Sequence, residues 1–141
     1  MLKKIFITMI FISQLALGKT ASWYGKGFEG KKTASGYRYS SNALTCASNR
    51  YPFGTVLKVT NKANKKSVVV VVTDRGGFHK YKREIDLSKA AFKQIANINQ
   101  GLIKVNIQVL SKDKTFKTVK NSPRFTDKEY HKFVSNTHLS K

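Results

Sequence analysis

Five consecutive valines, Val68 to Val72, constrain this chain more than any other stretch. A β-branched side chain is stiff at χ1 and packs well on a pleated sheet, so the run reads as a strand. Successive strand residues point to opposite faces. With both faces apolar, this strand has to be covered on both sides. It then ends on Thr73-Asp74-Arg75-Gly76-Gly77. A carboxyl at the mouth of a buried strand, followed by glycines that let a ligand approach the backbone, is a place where chemistry can sit. The plainer reading is that Asp74 bonds the backbone after it and holds a turn.

The neighbouring segments are also strand-like. Thr20 to Gly25, Asn42 to Ser48 and Val56 to Thr60 are short and separated by glycine-rich or polar turns. Farther on, Ile103, Val105, Ile107 and Val109 alternate with Lys104, Asn106 and Gln108, the period of a half-buried strand. Ile85-Asp86-Leu87 is extended, and Ser88 reads as the N-cap of a helix from Lys89 to Ile95. Short strands, one helix and glycine turns imply a mainly β chain closed into a small barrel.

Charge narrows the partners. Lys and Arg total 27 against 7 Asp and Glu, for a formal charge of +20. That balance favours anionic partners such as acidic wall polymers, nucleic acid or acidic lipid. From residue 21 to 110 the only carboxyl side chains are Glu29, Asp74, Glu84 and Asp86, so carboxylate chemistry there must use those. The single cysteine, Cys46, excludes an intramolecular disulfide and reads as a buried structural thiol.

Residues 1–18 read as a secretory leader. Lys3 and Lys4 precede an apolar run, and Ala16-Leu17-Gly18 is a small-x-small cleavage site. The expectation is cleavage after Gly18 and a secreted or periplasmic product, with no Cys following as a lipid attachment point. Residues 19–110 form the barrel domain. Residues 111–141 read as a basic tail, either without fixed structure or with one short helix near 127–134. Neither a metal-ligand cluster, a phosphate-binding Gly-Lys-Ser/Thr loop nor a nucleophile–His–Asp pattern is visible. No metal and no cofactor are therefore expected. Export argues against a nucleic-acid partner, and a monomer is expected.

Seven motifs run in order from about residue 20 to 110. They are Ala21-Ser22-Trp23-Tyr24-Gly25, Thr33-Ala34-Ser35-Gly36, Asn42-Ala43-Leu44-Thr45, Pro52-Phe53-Gly54-Thr55, Val59-Thr60-Asn61, Asp74-Arg75-Gly76 and Ile85-Asp86-Leu87-Ser88. In these the chain resembles the rare lipoprotein A family. The resemblance implies a six-stranded double-psi β-barrel with one short helix, related to barwin and expansin domains. It also implies lytic cleavage of peptidoglycan glycan strands to 1,6-anhydro ends, often at division. Peptidoglycan would be the partner, with other acidic wall polymers as further candidates. Family members commonly carry a Glu after the Thr-Ala-Ser-Gly motif and a His after the Asn-Ala-Leu-Thr strand. Here those positions are Tyr37 and Ser48, while the two motif aspartates stay as Asp74 and Asp86. The alternative is thus a non-catalytic, expansin-like peptidoglycan-binding module.

Lytic cleavage uses no water, because the sugar's own C6 hydroxyl attacks C1. One carboxyl that protonates the leaving oxygen can therefore suffice. Asp74 is the expected general acid, with the valine strand as the apolar wall that would favour its protonated form. Asp86 is a second catalytic candidate; its competing role is to stabilise the helix N-terminus. Trp23, Tyr24, Tyr37 and Tyr39, with Arg75, are the expected substrate-binding residues along a groove, although Trp23 could instead be core. Glu29 is expected to be exposed, and His79 lies close to Asp74 in sequence.

Overall fold

The computed structural model describes residues 19–76 and 83–112. The expected leader (1–18), most of the expected tail (113–141) and His79 lie outside the described residues. The described strands are β1 (Lys19–Trp23), β2 (Thr45–Ala47), β3 (Thr55–Asn61), β4 (Ser67–Asp74), β5 (Ile85–Leu87) and β6 (Ile103–Lys112). One helix, α1 (Lys89–Ile95), follows β5. The strands close into a ring in the order β1-β5-β2-β4-β3-β6. The β1/β5 and β2/β4 pairs are parallel and the other four are antiparallel. Closure leaves no sheet edge to pair with another chain. This is the mainly β, six-stranded barrel with one helix that the sequence implied.

The valine run is β4, and both its faces are covered. Val68, Val70 and Val72 point inward, where they meet Leu57, Val59, Ile85, Leu87 and Val105. Val71 points outward and is buried with Val56 beneath Tyr37 and Leu44. The inner space is plugged by α1, whose Ala91, Phe92 and Ile95 join the core. Ser88 caps the helix as expected, because its Oγ accepts from Ala91 N at 3.2 Å. The same Oγ donates to the Ala43 carbonyl at 2.6 Å. At the other end, the amides of Asn61 and Asn64 both donate to the Ile95 carbonyl, at 2.8 and 2.9 Å. Side chains at the end of β3 and in the β3–β4 turn thus satisfy a helix end that has no intrahelical partner.

The bounds of β2 and β6 differ most from expectation. Strand β2 starts at Thr45 rather than Asn42, because Ser41 and Ala43 give their carbonyls to Ala90 N and Ser88 Oγ. Strand β6 runs past Leu110 to Lys112, paired with β3 across an irregularity at Val56/Leu57.

Candidate active site

Strand register, which no local sequence signal reveals, builds the site. Ser22 on β1 pairs with Asp86 on β5, Asp86 pairs with Ala47 on β2, and Ala47 pairs with Asp74 at the end of β4. These four residues form one row across four neighbouring strands. Their flanking residues Ala21, Cys46, Ile85 and Leu87 point into the core, so Ser22, Asp86 and Ala47 face outward; the register shift between Cys46 and Ala47 brings Asp74 to the same side, where the Tyr24 hydroxyl reaches it. Two strand spacings separate the Asp74 and Asp86 backbones, about 9.5 Å.

The two carboxyls have unlike surroundings. Asp74 is an acceptor held from three sides. Its Oδ2 accepts from the Tyr24 hydroxyl at 2.8 Å, and its Oδ1 accepts from Ala34 N and Arg75 N, both at 2.8 Å. The Ala34 bond ties in the Thr33–Tyr37 turn, which Ser35 N also anchors on the Thr73 carbonyl at 3.2 Å. That turn needs Gly36 at φ 89°, a conformation open to glycine. Asp86 receives one described hydrogen bond, from Ser22 Oγ to its Oδ1 at 3.0 Å. Arg83 Nη1 donates to the same Ser22 Oγ at 3.0 Å. Burial pushes the Asp86 pKa up, against the lowering effects of Ser22 and of the Arg83 charge; the Asp74 charge pushes it further up.

Tyr24 lies between the carboxyls. Its ring packs on Ala47 and stacks on Tyr39 with centroids 4.3 Å apart. A larger residue than Ala47 would lift that stack. Burial first, then the Asp74 charge and hydrogen bond, raise the Tyr24 pKa far above the ordinary tyrosine value. Its hydroxyl therefore stays a donor at any working pH. Burial likewise raises the Cys46 thiol, which leaves it an inert core group as the sequence implied.

The expected aromatic strip is not an exposed platform. Tyr24, Tyr37 and Tyr39 are only 6%, 4% and 5% exposed. Tyr37 covers the outer face of β3 and β4. Tyr39 supports Tyr24, and its hydroxyl accepts from Lys89 N at 3.3 Å. Trp23 has the opposite strand parity to the row; it packs on Phe92 and donates Nε1 to the Ile98 carbonyl at 3.0 Å. Arg75 is bound into the frame, with its guanidinium 4.0 Å above the Phe53 ring and Nη1 donating to the Ser48 carbonyl at 2.8 Å. Burial lowers its pKa. Glu29 is exposed, as expected, and accepts from Ser41 N at 2.9 Å. Of the expected site residues, the row brings together Asp74, Asp86 and Tyr24. Sequence reasoning missed Ser22 and Ala47 because they matter only through register, and Arg83 because its partner Ser22 is 61 residues away.

The family described as lytic transglycolase matches residues 17–107 of the chain. The endolytic peptidoglycan transglycosylase RlpA of Rickettsia felis is 50% identical over 104 residues, covering 72% of this chain and 45% of its own length. The protein of that name from Campylobacter jejuni is 46% identical over 108 residues, covering 77% of this chain and 38% of its own. The chain thus spans less than half the length of these curated relatives. Among solved structures, a mutant Clavibacter michiganensis expansin in complex with cellohexaose matches with a TM-score of 0.53 and 20% identity, over 67% of this chain and 50% of that one. At that identity the likeness is one of fold.

Proposed function

The chain belongs to the lytic transglycolase family, and from that premise we propose that it cleaves peptidoglycan glycan strands by lytic transglycosylation outside the cytoplasm. The row that sets two unlike carboxyls on either side of Ala47 carries this reading. Asp86, whose pKa burial raises, suits a carboxyl that keeps a proton to give. Its Oδ2 takes no hydrogen bond from the described residues and can face a leaving oxygen. Asp74, the other carboxyl of the row, is the group left to take the C6 proton. This exchanges the role the sequence suggested for Asp74. The C6 hydroxyl of the sugar attacks C1 and loses its proton to Asp74. The C1–oxygen bond breaks, and Asp86 protonates the departing oxygen. The products are a 1,6-anhydro end and a free hydroxyl end, and solvent resets both carboxyls.

One observation favours a second reading. Tyr37 is buried in an apolar cluster, and Ser48 is buried with its polar groups on Asp74, Arg50 and Arg75. The positions where relatives commonly carry Glu and His thus supply no reacting group, which fits a wall-binding module. Digestion of purified peptidoglycan, followed by mass spectrometry, separates the two. Anhydro-ended products from the wild type and none from Asp86→Asn support lysis. Retention on the wall without products supports the binding module.

A further inference from the structure

Asp86 ends a chain of hydrogen bonds that runs in one sense. Arg83, just ahead of β5, donates Nη1 to Ser22 Oγ at 3.0 Å, and Ser22 Oγ donates to Asp86 Oδ1 at 3.0 Å. A guanidinium carries donors and no acceptor, so the Ser22 hydroxyl proton has nothing to turn to at Arg83. Ser22 is only 3% exposed, which keeps water from competing for that proton. It points instead at Asp86, the residue that the register sets beside Ser22. Asp86 Oδ1 is thereby kept as an acceptor. When the carboxyl is protonated, its proton has to sit on Oδ2, which takes no hydrogen bond from the described residues.

We infer that Arg83 is a positioning residue that acts through Ser22 to confine the transferable proton of Asp86 to Oδ2. The inference rests on the proposed function for the use made of that proton; the sense of the chain stands on the two hydrogen bonds. The segment that carries Arg83 is docked by its backbone. Glu84 N donates to the Thr20 carbonyl at 2.9 Å, and the pairs Ala21–Ile85, Ser22–Asp86 and Trp23–Leu87 continue the ladder. Arg83 also sets how readily the proton leaves. Burial raises the Asp86 pKa, the Ser22 bond and the Arg83 charge pull it down, and the Asp74 charge across the row pushes it up. Among the described residues, Tyr24, Tyr39 and Cys46 also interact with Asp86, and burial raises all three so that they stay neutral. Arg83 and Asp74 are thus the charges that tune Asp86 among these residues.

The test compares the full chain with three variants. Arg83→Lys keeps a cation that only donates. Arg83→Gln removes the charge and offers Ser22 an acceptor, and Ser22→Ala breaks the chain. Each is read by release of anhydro ends from peptidoglycan strands across pH, and by carbon NMR titration of the Asp86 carboxyl, with amide spectra reporting the fold. Arg83→Gln and Ser22→Ala should lower kcat by about 10²-fold, the cost of a misplaced reacting group, with KM little changed. Arg83→Lys should recover most of that loss. Without the Arg83 charge or the Ser22 bond the Asp86 pKa rises further. The carboxyl then holds its proton to higher pH, so its titration and the alkaline limb of the rate profile should both move up in Arg83→Gln and Ser22→Ala. Wild-type kcat in Arg83→Gln, or equal losses in the Lys and Gln variants, would overturn the inference. So would a titration that moves in Arg83→Gln but not in Ser22→Ala, because the charge would then act without the hydroxyl. If the wild type releases no anhydro ends, the lytic reading fails, and the NMR titrations still decide the chain from Arg83 to Asp86.

Discussion

The carboxyl row and the outer face of β3 and β6 occupy opposite sides of one small barrel, since β3 lies across the ring from β5 and β6 across from β2, and they treat their polar groups in opposite ways. In the row, each carboxyl is held by named partners: Asp74 by Tyr24, Ala34 and Arg75, and Asp86 by Ser22 with Arg83 behind it. On the outer face of β6, Lys104, Asn106 and Gln108 stand exposed, and the Lys104 ammonium makes one described hydrogen bond, to Thr20 Oγ1 at 3.0 Å. Partial burial turns a carboxyl into a group with its own proton affinity. Solvation leaves a lysine as a source of field, felt over about 8–10 Å at moderate salt. The first arrangement fixes each group in place, and the second leaves its charge to the solvent.

The largest expected effect separates the two carboxyls. Asp86→Asn should cut anhydro-product release by about 10²–10⁴-fold, the usual worth of a general acid. The same variant should not lose stability at neutral pH. Burial raises the Asp86 pKa, so the stability its neutral form contributes is full below the ordinary carboxyl pKa and is lost as pH rises through the raised value. An amide stays neutral throughout. Urea unfolding at about pH 4 and pH 7 should show the advantage of the variant growing with pH. An advantage that shrinks would mean that the charged form of Asp86 is the stabilised one.

Asp74→Ala should lose both activity and stability. It strands the buried Tyr24 hydroxyl, at about 1–3 kcal/mol, and releases the Ala34 and Arg75 N–H groups, the first of which water can reach. Thermal unfolding beside Asp86→Asn checks this, and equal melting temperatures would erase the contrast between the carboxyls. Ala47→Leu inserts bulk beneath the Tyr24–Tyr39 stack and should cost about 1–3 kcal/mol as well as activity. Ser88→Ala sharpens the comparison from outside both surfaces. Losing the helix cap should cost about 1 kcal/mol in denaturant unfolding. Product release from the folded fraction should not change. Smallest of all, Glu29→Gln should stay within about 0.5 kcal/mol, since its carboxyl is exposed. A large activity loss there would bring the 25–32 part of the loop into the site as well.

Much of the barrel was legible from local chemistry. The valine run, the alternation of Ile103 to Val109 and the Ser88 cap each follow from period, propensity and capping, which act within a few residues. Asp74 and Asp86 were also visible, because so few carboxyls exist between residues 21 and 110. The aromatic residues left two readings open. A tyrosine or tryptophan suits a sugar platform and a packed wall equally well by composition, and only neighbours decide between them. Tyr37 meets Val56 and Val71, and Trp23 meets Phe92, so both are packing residues.

The sequence by itself determined a buried central strand, a capped helix, a strong positive charge and two candidate acids. The tertiary structure decided which of these share a surface. Closing the ring in the order β1-β5-β2-β4-β3-β6 brings Ser22, Asp86, Ala47 and Asp74 into line, although their sequence neighbours suggest no such alignment. The same closure sends Lys58 and Lys104 to the far side. Register between distant strands is fixed by the whole core at once, since a slip of one residue would exchange inside for outside along a strand.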